Sequence, residues 1–116
     1  MRENIIKSKS FEFALRVVKL HRYLAGEKYE FVLSKQLLRS GTSIGALVRE
    51  SEHAESKADF IHKLSIALKE ANETEYWLEL LYKSDYIDET NYTSHVSEIK
   101  EILKLLISII KTSKTK

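Results

Sequence analysis

Apolar residues recur every three to four positions along most of this chain, the period of a helix with one buried face. The spacing predicts four helices, at about residues 10–25, 30–55, 57–83 and 88–111. In the first, Phe11, Ala14, Leu15, Val18 and Leu24 share a face, with Ser10 as N-cap and Gly26 as the closing C′ glycine. The second sets Leu33, Leu37, Ser40, Ile44, Leu47 and Ala54 at core spacing. Ser56-Lys57-Ala58-Asp59 has the form of a capping box with a shortened acid and starts the third helix. That helix buries Phe60, Leu64, Ala67, Ala71, Thr74, Leu78 and Leu81. Asp88 caps the fourth, built on Val96, Ile99, Leu103, Leu106 and Ile110.

Connections of about three to five residues turn each helix back beside the one before it. The fold class is therefore all-α, an antiparallel up-down-up-down four-helix bundle, in one domain of residues 1–116. This topology gathers Arg2, Lys7, Lys9, Lys111, Lys114 and Lys116 at one end beside Glu50, Glu52, Glu55 and Asp59, where opposite charges neutralise one another.

A lone bundle needs one apolar stripe per helix, and helix 3 has two. The second runs through Ile66, Glu70, Glu73, Trp77 and Leu80. Helix 4 likewise carries Ile102, Leu105 and Ile109, flanked by Ile107. The excess points to self-association, with Trp77 as a typical anchor. On helix 2, Gln36, Ser43 and Glu50 recur at intervals of seven, with Arg39 close by and small Ser40, Gly41 and Gly45 alongside. Polar groups between helices must be paired, and Glu70 or Glu73 answers Gln36 and Arg39. The expected subunit contact is thus Ile66, Glu70, Glu73 and Trp77 opposite Gln36 and Arg39.

Composition narrows the function. Among 116 residues there is no Pro to interrupt a helix and no Cys, which excludes disulfides, thiolate metal sites and a Cys nucleophile. The opening MRENIIKSKSFEF has no apolar run ahead of a small-residue cleavage site, so no signal peptide is expected. The longest apolar runs, such as Leu105–Ile110, are too short to span a bilayer, so the chain is expected to be cytoplasmic, with no membrane partner. The net charge of +2 hides an asymmetry. Residues 1–49 hold ten Lys and Arg against four acids, residues 50–101 five against thirteen, and residues 102–116 four Lys and no acid. Such a chain uses the contrast within the fold, between subunits, or toward a polyanion. Arg16, Lys19 and Arg22 on helix 1, with Lys35 on helix 2, form the candidate nucleic-acid patch. A sequence pI near 8.7 lies below the value above 9 that marks a strong electrostatic footprint.

Two catalytic patterns are present in form only. Gly41-Thr42-Ser43-Ile44-Gly45 fits G-x-S-x-G, but a nucleophile elbow needs a strand before the Ser, and this one lies inside a helix. Glu50-x-x-His53 and Asp59-x-x-His62 suggest a di-iron bundle site, the rival reading of the chain as a small metalloenzyme. They flank the helix 2–3 corner instead of facing one another at mid-bundle. No catalytic residue, metal or cofactor is expected.

The residues of the second stripe also carry a resemblance. QLLRSGTSIGALVRE followed by DFIHKLSIALKEANETEYWLELL resembles the bacterial four-helix bundle proteins named for the 23S rRNA intervening sequence. Gln36, Arg39, Ser43, Ile44 and Glu50 match that family's helix 2 pattern, and Ile66, Ala67, Glu70 and Glu73 resemble its helix 3 pattern. The family's usual Asn falls at Leu47. The resemblance spans about Phe11 to Ile110. It implies a bundle that assembles into a ring, typically a pentamer, and likeness in fold to accessory proteins of diversity-generating retroelements, which bind nucleic acid and a reverse transcriptase. It lends no catalytic residues. RNA or a nucleic-acid-processing protein is the implied partner, and a protein partner encoded in a mobile-element operon is the other.

Overall fold

In the computed structural model, which describes residues 2–116 apart from the Glu3 side chain, four helices follow one another: α1 (Arg2–Gly26), α2 (Leu33–Ser51), α3 (Lys57–Lys83) and α4 (Glu89–Lys114). Each packs against the helix before and after it, and α4 closes back on α1, giving an antiparallel four-helix bundle of 47 × 21 × 19 Å. The α1–α4 seam is the thinnest of the four.

The core of α3 is the one its spacing predicts: Leu64, Ala67, Ala71, Thr74, Leu78 and Leu81 are buried, with Phe60 half-buried at the end. Its start is also as expected. Ser56 Oγ accepts the Asp59 amide at 3.0 Å, while Asp59 Oδ2 accepts the amide of Glu55 at 3.2 Å. At α4, Asp88 Oδ1 accepts the Asn91 amide at 2.8 Å. This helix runs to Lys114, three residues beyond the expected end. Ile102 and Ile109, expected on an outer stripe, are core residues, and of that stripe Ile107 stands exposed.

Helix α1 departs most from expectation. It begins two turns early, where Arg2 donates to Ser108 Oγ at 2.5 Å and to Thr112 Oγ1 at 3.1 Å on α4. Ser10 is therefore no cap. It is buried mid-helix, its hydroxyl donating to the Lys7 carbonyl at 3.2 Å. The buried face is Ile6, Phe13, Val17, Leu20 and Leu24, whereas Phe11 and Leu15 are about half exposed. Apolar residues lie on two sides of this helix, and α2 decides between them. Gly41 brings its backbone so close that an added Cβ would lie 2.9 Å from both Val17 methyl carbons. At Gly45 the added carbon would lie 3.3 Å from the Ser10 carbonyl oxygen. The small residues of α2 thus select the Ser10–Val17 side of α1.

The α1–α2 turn is built without a left-handed glycine. Gly26 stays helical and Tyr29 takes the positive φ, 54°. Glu30, expected inside helix 2, lies outside it and caps it. Its carboxylate is buried and accepts the amides of Val32 (3.2 Å), Leu33 (3.1 Å) and Ser34 (2.7 Å). Three of the four amides that a helix start leaves unpaired are satisfied by one side chain, whose negative charge also faces the positive end of the helix dipole. The helix ends at Ser51, short of the expected 55, and Ala54 lies in the turn that follows.

Candidate functional site

The outer edge of the α2–α3 seam holds a connected polar network. Arg39 on α2 donates through Nη1 to both oxygens of Glu70, at 3.2 and 3.3 Å, through Nη2 to Glu73 Oε2, and through Nε to Gln36 Oε1 at 3.2 Å. Trp77 Nε1 donates to Glu73 Oε2 at 2.9 Å. Spacings of three and then four residues separate Glu70, Glu73 and Trp77, so one side of α3 presents all three to Arg39. The Trp77 hydrogen bond and the Arg39 charge hold the Glu73 carboxyl below its ordinary value, against partial burial that pushes it up. Beneath this edge Thr74 Oγ1 lies 2.9 Å from Ser40 Oγ and 2.8 Å from the Glu70 carbonyl, joining the two helices inside the core.

Apolar surface frames the network. Ile66, Trp77 and Leu80 are half-buried, and Tyr76, 55% exposed, meets Trp77 edge to face with centroids 5.0 Å apart. All six residues expected at a subunit contact therefore lie on one side of one protomer, with Arg39 answered by Glu70 and Glu73 from α3 and Gln36 answered by Arg39 within α2.

The candidate basic residues divide. Arg16 and Lys19 line a cleft of about 340 Å³ in the α1–α4 seam with Leu20, Tyr23, Asn91 and His95. Arg16 is committed there, pairing with Glu98 and donating to Ser94 Oγ at 2.8 Å. Arg22 and Lys35 are exposed and lie outside this cleft. His95, which no spacing rule singles out, is 4% exposed, with Nδ1 2.7 Å from the Asn91 carbonyl. Burial lowers its pKa below the ordinary imidazole value; the Asn91 carbonyl opposes this and the Arg16 charge adds to it.

Comparison with known families decides the relationship. Residues 2–108 match the model of the family described as 23S rRNA-intervening sequence protein. The chain belongs to this family. A solved structure from Bacteroides thetaiotaomicron, described as a protein of unknown function from the S23 ribosomal protein family, superposes with a TM-score of 0.95 at 62% identity, over 96% of this chain and 99% of that one. No curated protein matches. Neither description names an activity.

The Leu47 side chain is half-buried and packs on the core. The remaining motifs have structural employment. Ser43 Oγ donates to the Arg39 carbonyl at 2.6 Å and Thr42 Oγ1 to the Leu38 carbonyl at 2.7 Å, so the G-x-S-x-G residues lie inside α2 and not on a strand-to-helix turn. At the α2–α3 corner Glu50 pairs with Lys63 at 3.0 Å, Asp59 serves the α3 start, and His53 and His62 are exposed. Among the described residues no three His, Asp or Glu come together to hold a metal ion. The gathering of charge at this end is partly as expected. Lys7 pairs with Glu52 at 3.1 Å, but Lys9 reaches Glu101 on α4 at 2.5 Å. No helix among the described residues is long and apolar enough to cross a membrane.

Proposed function

We propose that this chain acts without catalysis, as a homo-oligomeric ring that serves as a scaffold for RNA or for a nucleic-acid-processing protein. The observation that carries the reading is the edge of the α2–α3 seam. There Trp77, Ile66 and Leu80 stay half exposed around ion pairs that are already satisfied within the protomer. Pairing within one subunit lessens the desolvation cost that free charges would bring to an apolar contact. A Trp framed by aliphatic groups and a bidentate Arg is the usual make-up of an interface centre. The pentameric count comes from the family resemblance. A ring repeats each exposed cation, Lys19, Arg22 and Lys35 among them, around an axis, so that weak phosphate contacts add.

Two measurements on the purified protein test this. Trp77→Ala is expected to reduce the oligomeric mass in light scattering; an unchanged mass removes the seam from the interface. Binding to a structured RNA is expected to weaken steeply with log salt, and Lys19→Glu with Lys35→Glu to flatten that slope. No RNA binding at low salt leaves a scaffold for proteins alone.

A further inference from the structure

The α1–α4 cleft lies across the bundle from the α2–α3 seam, and its chemistry points to a ligand of its own. Its volume of about 340 Å³ is at the lower end of the range for small-molecule sites, roughly 300–1,000 Å³. Leu20 is buried in it and the Tyr23 ring, 40% exposed, stands beside it, so apolar surface is available to a flat molecule. Charge in the cleft is simple. Arg16 is balanced by Glu98, which leaves the exposed Lys19 ammonium as the net positive group among the lining residues.

His95 adds the most specific requirement. A backbone carbonyl only accepts hydrogen bonds, so the proton of the neutral ring sits on Nδ1, facing the Asn91 oxygen at 2.7 Å. Nε2 is then a bare acceptor on a residue that is 4% exposed and lines the cleft; it has no protein donor among the described residues and keeps access to solvent. An acceptor that faces the cleft with no protein partner is available to a ligand N–H.

A ligand that meets all three features is an anion with a flat aromatic body and an N–H donor at its edge. We propose that the α1–α4 cleft binds a nucleotide, with the base against Tyr23, a base N–H on His95 Nε2 and the phosphate at Lys19. This rests on the nucleic-acid arm of the proposed function, since the nucleotide is either free or part of a single strand. Bare inorganic phosphate lacks the flat body, and a nucleoside lacks the charge.

The experiment is an NMR titration of the intact protein with adenosine 5′-monophosphate, adenosine, inorganic phosphate and a short single-stranded oligoadenylate, alongside the structured RNA. The nucleotide is expected to give saturable shifts at the amides of Leu20, Tyr23, Asn91 and His95, with adenosine and phosphate each at least about tenfold weaker. His95→Phe keeps ring and burial but removes the acceptor, and Lys19→Ala removes the charge; each is expected to weaken the nucleotide about tenfold. Tyr23→Ala, at a half-exposed position, tests the stacking wall should His95→Phe fail to fold. Shifts confined to the cleft with the oligonucleotide tighter than the monophosphate identify a strand as the source, and the reverse order a free nucleotide. No cleft shifts up to about 10 mM nucleotide, or binding indifferent to the Lys19 and Tyr23 changes, overturns the site. Structured RNA that still binds in that case leaves the scaffold reading intact, and cleft binding without RNA binding leaves the site and removes the RNA partner.

Discussion

Trp77 Nε1 and Arg39 Nη2 converge on a single atom, Oε2 of Glu73. One carboxylate oxygen thus ties the indole of α3 to the guanidinium of α2 and sets the angle at which the Trp77 ring meets solvent. Glu73→Gln keeps an oxygen for Trp77 but takes the charge from Arg39. Because these groups are a third to a half exposed, the expected loss is small, about 1 kcal/mol in urea unfolding. The oligomeric mass is expected to fall more than that loss suggests, since the ring loses its fixed pose. A mass equal to that of the unmodified protein at the same concentration rejects the link.

Stability is expected to fall on acidification in two stages. The folded pKa of His95 is lowered, so from the ordinary value of 6.5 downward the unfolded chain takes up the proton first and folding weakens, until the folded ring is protonated as well. Glu73 is also lowered, and its contribution, present above the ordinary value of 4.5, is lost as pH falls through the folded value. Urea midpoints at pH 7.5, 5.5 and 4 test this. His95→Phe is expected to flatten the first stage and leave the second.

Glu30→Ala removes the acceptor of three amides at the α2 start and leaves the buried Ser34 amide without one. The expected cost is about 1–3 kcal/mol in denaturant unfolding, with Glu30→Gln in between because an amide oxygen replaces only part of the carboxylate. Hydrogen exchange should quicken first at residues 32–34. Uniform quickening across all four helices would show that the cap acts on global stability alone.

Thr74→Val keeps the shape at the α2–α3 crossing but leaves Ser40 Oγ with only the Leu37 carbonyl, at 3.5 Å. A loss of about 1 kcal/mol is expected, and adding Ser40→Ala should recover part of it, because removing both partners of a buried bond costs less than removing one. Strict additivity of the two changes in a double-mutant cycle excludes a direct bond.

The sequence is most readable where small residues mark the inward stripe of a helix. In α3 the small core residues Ala67, Ala71 and Thr74 leave no doubt about which side faces inward, and Glu70 and Glu73 fall where Arg39 needs them. In α1 both Phe11–Leu15 and Phe13–Val17 satisfy the helical period, and the choice depends on a partner surface that local spacing does not contain. The α1–α2 turn hides for a different reason. Phe31, Val32 and Leu33 continue the apolar rhythm of a helix, so nothing local shows that Glu30 lies outside it as a cap. Gly26 draws the closing role by residue type, whereas the chain turns at Tyr29. His95 is silent in sequence because its meaning depends on which helix lies across from α4.

A side-chain carbon at position 41 would lie 2.9 Å from both Val17 methyl carbons, which makes these two positions a single inheritance. A methyl arriving at 41 favours a smaller side chain at 17, because a helical Val strongly prefers a single rotamer. Relatives that keep the α1–α2 spacing should therefore change the two residues together, and a chimera taking α1 from one lineage and α2 from another should fold only when the parental pair at 17 and 41 travels intact.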